Sequence, residues 1–334
     1  MKNAYKLISG VLLCLISTIA WGGMFPVMDG ALKIMDPFYF TALRYTSASI
    51  IFFILLVIFE GRNALNFKGK ILPLWLFGSA GFAGFGFLVF LGQQMISGAK
   101  GAIIAAVFMA TMPLMSAVVS WAATGKKPNK FTFTAIFIAL IGVLLVITNG
   151  NLMLLYSMKK SLLADVFMLL GAFSWVIYTW GITKFAGFSP LRYTALTCAM
   201  GVVTILFAVA LATALGWLHV PAANEISGVW LELLYMILIA GVMAVFTWNA
   251  GNKIIGPVNG ILFINAVPVT TLIIASLSGR KVTLFEMSGA LLVIIALVLN
   301  NIYQRKALRI TAVKSMRDVG NSEPKSISTE EEIN

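Results

Sequence analysis

Apolar residues gather in long runs separated by short polar connectors, and ten of these runs approach the roughly 20 residues that a helix needs to cross a bilayer. They fall at Lys6 to Met28, Pro37 to Phe59, Ile71 to Ile96, Gly101 to Thr124 and Phe131 to Thr148. Five more follow at Leu162 to Thr183, Pro190 to Leu215, Val229 to Gly251, Gly256 to Ser278 and Thr283 to Tyr303. Alternating strands of about 10 residues, the mark of a membrane β-barrel, do not occur. The pattern predicts an all-α polytopic membrane protein with ten transmembrane helices. Composition agrees: of 334 residues, 60% are hydrophobic and 11% charged, with mean hydropathy +0.96, whereas a soluble domain carries about 25% charged residues.

Charge then orients the chain. A net charge of +12 would point to nucleic acid in a soluble protein. Here the positive-inside rule accounts for it, and no nucleic-acid partner is expected. With the N-terminus inside, inner segments hold 17 of the 24 Lys and Arg, outer loops hold six, and Arg44 lies within the second helix. Both termini are therefore expected in the cytoplasm. Lys2 and Lys6 ahead of an apolar run resemble a signal peptide, but no A-x-A cleavage site precedes Trp21, so the run reads as the first spanning helix. Residues 304–334 turn polar, with Arg305, Lys306 and Arg309 suited to the anionic inner leaflet and a Glu330-Glu331-Glu332 end expected to be disordered. Cys14 and Cys198 sit inside apolar runs and predict no disulfide. His219 stands alone among the histidines, so no metal site is expected, and no cofactor motif occurs.

An internal repeat organises the ten runs. Pro37 with Phe40-Thr41-Ala42-Leu43 returns as Pro190 with Tyr193-Thr194-Ala195-Leu196, Pro113 returns as Pro268, and Trp21 as Trp175. The spacings of Gly125, Ala135 and Gly142 return in Gly279, Gly289 and Ala296. Two homologous five-helix halves, 1–155 and 156–303, are expected. Because five is odd, the second half enters from the opposite side, which makes an inverted repeat of the kind that builds alternating-access carriers.

Chemistry concentrates at a few places. Trp21-Gly22-Gly23-Met24-Phe25-Pro26 loosens a helix at membrane depth, where the carbonyl that Pro26 frees near Gly22 needs another partner. Such a kink either serves packing alone or lines a substrate site. Gly22, Gly23, Pro26, Pro113 and Pro268 are the expected hinges. Arg44 is a charge inside a spanning helix, and its repeat counterpart is Thr197, so symmetry does not call for it. It either contacts an anion in a cavity or snorkels to the outer interface. Asn265 lies one turn before Pro268 and is a candidate for substrate contact; Gln93, Gln94, Asn249 and Asn252 are expected to bond between helices. Trp21, Phe25, Trp175, Tyr178 and Trp248 are candidate walls of an aromatic pocket, whereas Trp75, Trp121, Trp217 and Trp230 fall at helix ends as belt residues. Gly78, Gly81, Gly84 and Gly86 mark close packing of the third helix. No carboxylate stands at mid-helix; Asp165 and Glu232 come nearest.

These residues resemble a known pattern: Trp21, Gly22 and Pro26; Pro37 with Arg44; Pro113; Asp165 and Trp175; Trp248-Asn249; Ile255-Gly256-Pro257; and Asn265 to Pro268. The chain resembles the EamA-type transporters of the drug/metabolite transporter superfamily along all ten helices. Lys126 and Arg280 depart from the glutamates common there. The resemblance implies a secondary carrier in the bacterial cytoplasmic (inner) membrane, exporting small organic molecules such as amino acids, related metabolites or drugs by alternating access. An intramembrane enzyme lacks an H-E-x-x-H or paired aspartates to work with. A channel-like facilitator would want matching polar rings in the two halves. No Walker motif supplies ATP binding. The expected partners are a small-molecule substrate and the lipid bilayer, with the oligomeric state left open.

Overall fold

The computed structural model describes residues 2–303, apart from 97, 126–129, 149, 152–158, 297 and 300–302. The predicted tail at 304–334 and Lys126 lie outside the described residues. No strand occurs among the described residues, and each of the predicted runs carries helix. Seven described helices are long and apolar enough to cross a membrane: α1 (Tyr5–Ala31), α2 (Pro37–Glu60), α3 (Ile71–Ile96), α4 (Lys100–Ala123), α6 (Leu162–Lys184), α7 (Pro190–Ala214) and α8 (Trp230–Ile255). Between α4 and α6 lies the 19-residue α5 (Lys130–Thr148). Two shorter apolar helices follow, α9 (Ile261–Leu277) and α10 (Leu284–Ala296). Ile50, Ile54, Ile58, Phe207 and Leu211 stand exposed on α2 and α7. Large apolar side chains left outward on apolar helices belong against lipid rather than water.

Local chemistry explains why the two halves share motifs. Asp36 accepts the Phe38 and Tyr39 backbone N–H groups at 2.9 Å, and Pro37 follows at the first turn of α2. Ser189 accepts the Arg192 N–H at 2.9 Å ahead of Pro190 and α7. Each is a capping oxygen followed by a proline that has no N–H to satisfy. Pro113 and Pro268 follow matching disturbances as well. The α4 helix is interrupted at Thr111, and α9 opens with a 3₁₀ stretch, Ile261–Asn265. In the third helix of each half, the backbone widens to π-helical pairing over Ser79–Gly84 and Tyr235–Met243.

The carbonyl freed by Pro26 finds a hydroxyl. Thr271 Oγ1 donates to the Gly22 carbonyl at 2.8 Å, and α1 stays helical through Pro26. Gly22 admits the approach of α9, because a Cβ there would lie 2.3 Å from the Thr270 Cβ. Gly23 faces Tyr235, whose hydroxyl donates to the Ala20 carbonyl at 2.6 Å.

Packing crosses between the halves. A Cβ on Gly92 of α3 would meet the Ala164 carbonyl at 2.6 Å and Met168 at 2.7 Å on α6. A Cβ on Gly251 of α8 would meet Cys14 Sγ at 2.6 Å and the Gly10 carbonyl at 2.9 Å on α1. Gly92 of the first half thus packs on the second, and Gly251 of the second packs on the first. Gly78 of α3 and Gly201 of α7 abut backbone to backbone. At the two ends of the α2–α7 pair, Tyr39 Oη meets Thr213 Oγ1 at 2.8 Å, and Ser189 donates to Glu60.

Candidate functional site

Arg44 remains inside the bundle. It is 1% exposed. Its Nη2 donates to the hydroxyl of neighbouring Tyr45, and Nη1 lies 4.0 Å from Met24 Sδ and 3.9 Å from Met236 Sδ. The guanidinium carbon stands 4.0 Å from the Tyr45 ring centre and 5.1 Å from that of Phe90. Nε has no partner. Among the described residues Lys33 pairs with Asp29 and Arg280 with Glu286, His219 lies 3.6 Å from Glu225, and none of these contacts includes Arg44. Rings and sulfur soften the desolvation of a buried cation, but they do not neutralise it.

Arg44 lines a small cavity between the halves. Trp21, Met24 and Tyr45 border it from the first half together with Phe85 and Met109, while Trp175 and Val245 border it from the second. The cavity is small, with room for about one water molecule. Trp21 and Trp175 meet edge to face, centroids 5.2 Å apart at 84°. The Trp21 Nε1–H donates to the Ala240 carbonyl at 3.0 Å, within the widened stretch of α8. The Trp175 Nε1–H is buried without a partner. Arg44 Nε and Trp175 Nε1 are thus buried donors without partners on two of the lining residues.

Of the predicted site residues, Trp21, Arg44 and Trp175 line this cavity, and Phe25, Tyr178, Trp248 and Asn265 do not. Trp248 packs on Trp21 at 5.2 Å and donates to Thr179 at 3.1 Å. Tyr178 packs on Trp175 at 4.9 Å, and its hydroxyl accepts from Asn249 at 2.6 Å. Phe25 is fully buried, with its carbonyl accepting from Gln93 at 2.8 Å. Gln94 bonds the Leu32 carbonyl beyond the end of α1, whereas Asn252, expected to bond between helices, bonds the Trp248 carbonyl one turn back within α8. Asn265 is 7% exposed, its Oδ1 has no partner, and it does not line the cavity. Thr197, counterpart of Arg44, donates to the Tyr193 carbonyl at 2.6 Å. Arg280 pairs with buried Glu286 at 2.9 Å.

Sequence reasoning missed the rest of the lining. Tyr45 and Met24 adjoin residues it had singled out, and adjacency was the available signal. Met109, Phe85 and Val245 carry no such signal, because in an apolar helix they look like any core residue.

A helical membrane protein with a buried cationic cavity between two similar halves is the class defined by these features. The chain belongs to the EamA-like transporter family, whose model matches residues 8–148 and again 162–302. It is 42% identical to the uncharacterized transporter YrdR of Bacillus subtilis (strain 168), over 90% of this chain and 94% of that one. It is 29% identical to the uncharacterized transporter YyaM of the same organism, over 84% of this chain and 90% of that one. A solved crystal structure shares the fold at TM-score 0.65 and 17% identity, covering 88% of this chain and 98% of the other.

Proposed function

We propose that the protein is a secondary carrier that exports small organic molecules across the bacterial cytoplasmic membrane by alternating access, without enzymatic chemistry. The observation that carries the reading is Arg44, a cation buried without a counter-charge at a cavity shared by both halves. A charge at that depth is costly unless it serves a ligand or partner.

Ten crossings in two inverted halves, 1–155 and 156–303, complete the proposal. The exchanged contacts of Gly92 and Gly251 support a two-fold relation between halves. Helix directions support inversion. The ends of α1 and α3 lie together through Gln93 and Phe25. The α6 helix runs against α3, since Gly171 meets Val89 while Ala164 and Met168 meet Gly92. Thus α6 runs opposite to its counterpart α1. The disturbances before Pro113 and Pro268 and the carbonyl at Gly22 supply places for the halves to flex. In this reading Trp21, Trp175 and Arg44 contact substrate, with Phe25, Tyr178 and Trp248 behind them and Asn265 joining when α9 moves.

Purified protein in proteoliposomes tests the reading. Preloading with unlabelled compound should accelerate uptake of the labelled one, and the rate should saturate. Absence of saturable uptake and counterflow across amino acids, amines and organic acids would remove the carrier assignment.

A further inference from the structure

We infer that one end of the bundle carries a binding site for the headgroup of an anionic phospholipid. Four cations gather there around the segment that joins α6 to α7. Lys70 Nζ donates to the Lys184 carbonyl at 3.2 Å and stands 5.2 Å from the Phe185 ring centre and 5.9 Å from that of Phe188. The Lys184 ammonium lies 4.6 Å from the Trp180 ring centre. The Arg192 guanidinium lies 4.3 Å from the Phe188 ring centre and donates to the Asn66 carbonyl. Lys253, in the last turn of α8, donates to the Phe188 carbonyl. Each of these partners is a neutral carbonyl or ring, and no ion pair among the described residues includes any of the four cations.

Positive charge is in surplus at this end. Among the described residues, the carboxylate bonded to the segment is Glu60, which accepts from Ser189. The other acids of these helices stand at the opposite ends: Asp36 ahead of α2, Asp165 near the start of α6 and Glu232 in the first turn of α8. A zwitterionic headgroup would bring its own ammonium to the cluster, whereas a phosphodiester headgroup of net negative charge meets the surplus. Lys184 and Lys253 are exposed, so the approach is open. The neighbouring chain favours a lipid over a free phosphate. Ile58 and Phe59, 67% and 73% exposed, lead into Glu60, and Ile71 and Leu72, 56% and 62% exposed, follow Lys70. Acyl chains can cover such side chains, and a free phosphate would leave them bare. On the expected orientation this end meets the inner leaflet, where anionic lipids collect cations. Lys70 comes from the first half and the other three cations from the second, so one headgroup would touch both halves.

Native mass spectrometry of the purified full-length protein in a non-ionic detergent, titrated with phosphatidylglycerol or phosphatidylcholine of the same dioleoyl chains, tests the site. The first phosphatidylglycerol should bind about tenfold tighter than phosphatidylcholine, or better, as expected for two or more cations near one headgroup. Lys184→Gln combined with Lys253→Gln should bring the two lipids within about threefold of each other. Lys33→Gln combined with Lys281→Gln removes the same charge from exposed positions outside the cluster and should leave the preference as in wild type. Glycerol 3-phosphate should not compete. Equal binding of the two lipids by the wild-type protein overturns the site, and that comparison does not depend on any variant folding. A preference kept by the first pair of substitutions, or lost with the second, overturns it too. Displacement of the lipid by glycerol 3-phosphate would do the same, because the ligand would then be a soluble phosphate. Binding in micelles needs neither transport nor a particular orientation of the chain, so failure of the carrier reading leaves this result standing.

Discussion

Trp21 and Trp175 lie equally far from the starts of the two family matches and touch each other edge to face, 5.2 Å between centroids. That contact, worth about 0.5–1.5 kcal/mol beyond burial, sets the cavity at the junction of the halves, and Arg44 breaks its chemical symmetry because Thr197 stands in the matching place.

Arg44→Lys should lower transport by about tenfold or more, since lysine lacks the planar fork that binds a carboxylate at two points. Trp230→Phe, at an exposed helix start, should leave transport near wild type. Initial rates of uptake in proteoliposomes, normalised to inserted protein, check both. Full transport by Arg44→Lys would make the guanidinium structural.

Thr271→Val should destabilise the protein by about 1–3 kcal/mol, because it strips the hydroxyl from the buried Gly22 carbonyl that Pro26 leaves unpaired. Thermal unfolding in detergent reads the loss. An unchanged midpoint would show that this carbonyl finds another donor.

Gly78→Ala should impair folding sharply. A Cβ there would sit 2.1 Å from the Thr197 carbonyl oxygen, and backbone cannot swing aside as a side chain can. Gly187→Ala meets nothing within 4 Å and should be tolerated. The yield of monodisperse protein distinguishes the two, and equal yields would contradict the close α3–α7 approach.

Burial holds the Asp36 carboxyl above the usual carboxylate range, against the opposing pull of the Phe38 and Tyr39 N–H groups. The folded protein thus keeps this proton more tightly than the unfolded chain. Stability from this site is highest below the unfolded value, declines as pH rises through the folded one, and stays lower at neutral pH. Asp36→Asn retains a capping oxygen without the charge, so at neutral pH it should match or exceed wild-type stability, with a flatter pH dependence. A lower melting temperature at pH 7 than wild type would contradict this account.

A reporter active only outside the cytoplasm, fused after Ile333, should stay silent, following the bias of Lys and Arg toward the inner segments. Activity from that fusion would reverse the proposed orientation.

Much of this architecture was legible because apolar length and caps act locally. Asp36-Pro37 and Ser189-Pro190 announce helix starts from neighbouring residues alone. The need of the carbonyl near Gly22 for a partner was legible too, but that the partner is Thr271 depends on how α9 docks. The same limit applies to the cavity. Arg44, Trp21 and Trp175 stand out by charge, size and repetition, whereas Met24 and Met109 become a wall only once α1 and α4 meet. The widened backbone at Ser79–Gly84 and Tyr235–Met243 left no mark beyond glycines that also serve packing.

The exchanged glycine contacts bear on how the chain can be divided. Gly92 is closed off by the second half and Gly251 by the first, so the gap between the family matches is a boundary in sequence and not in space. A chain cut there would yield two fragments, each presenting an unfilled groove shaped for the other. Neither would complete its own interior, and the pair would have to find each other within the bilayer before either became a finished protein.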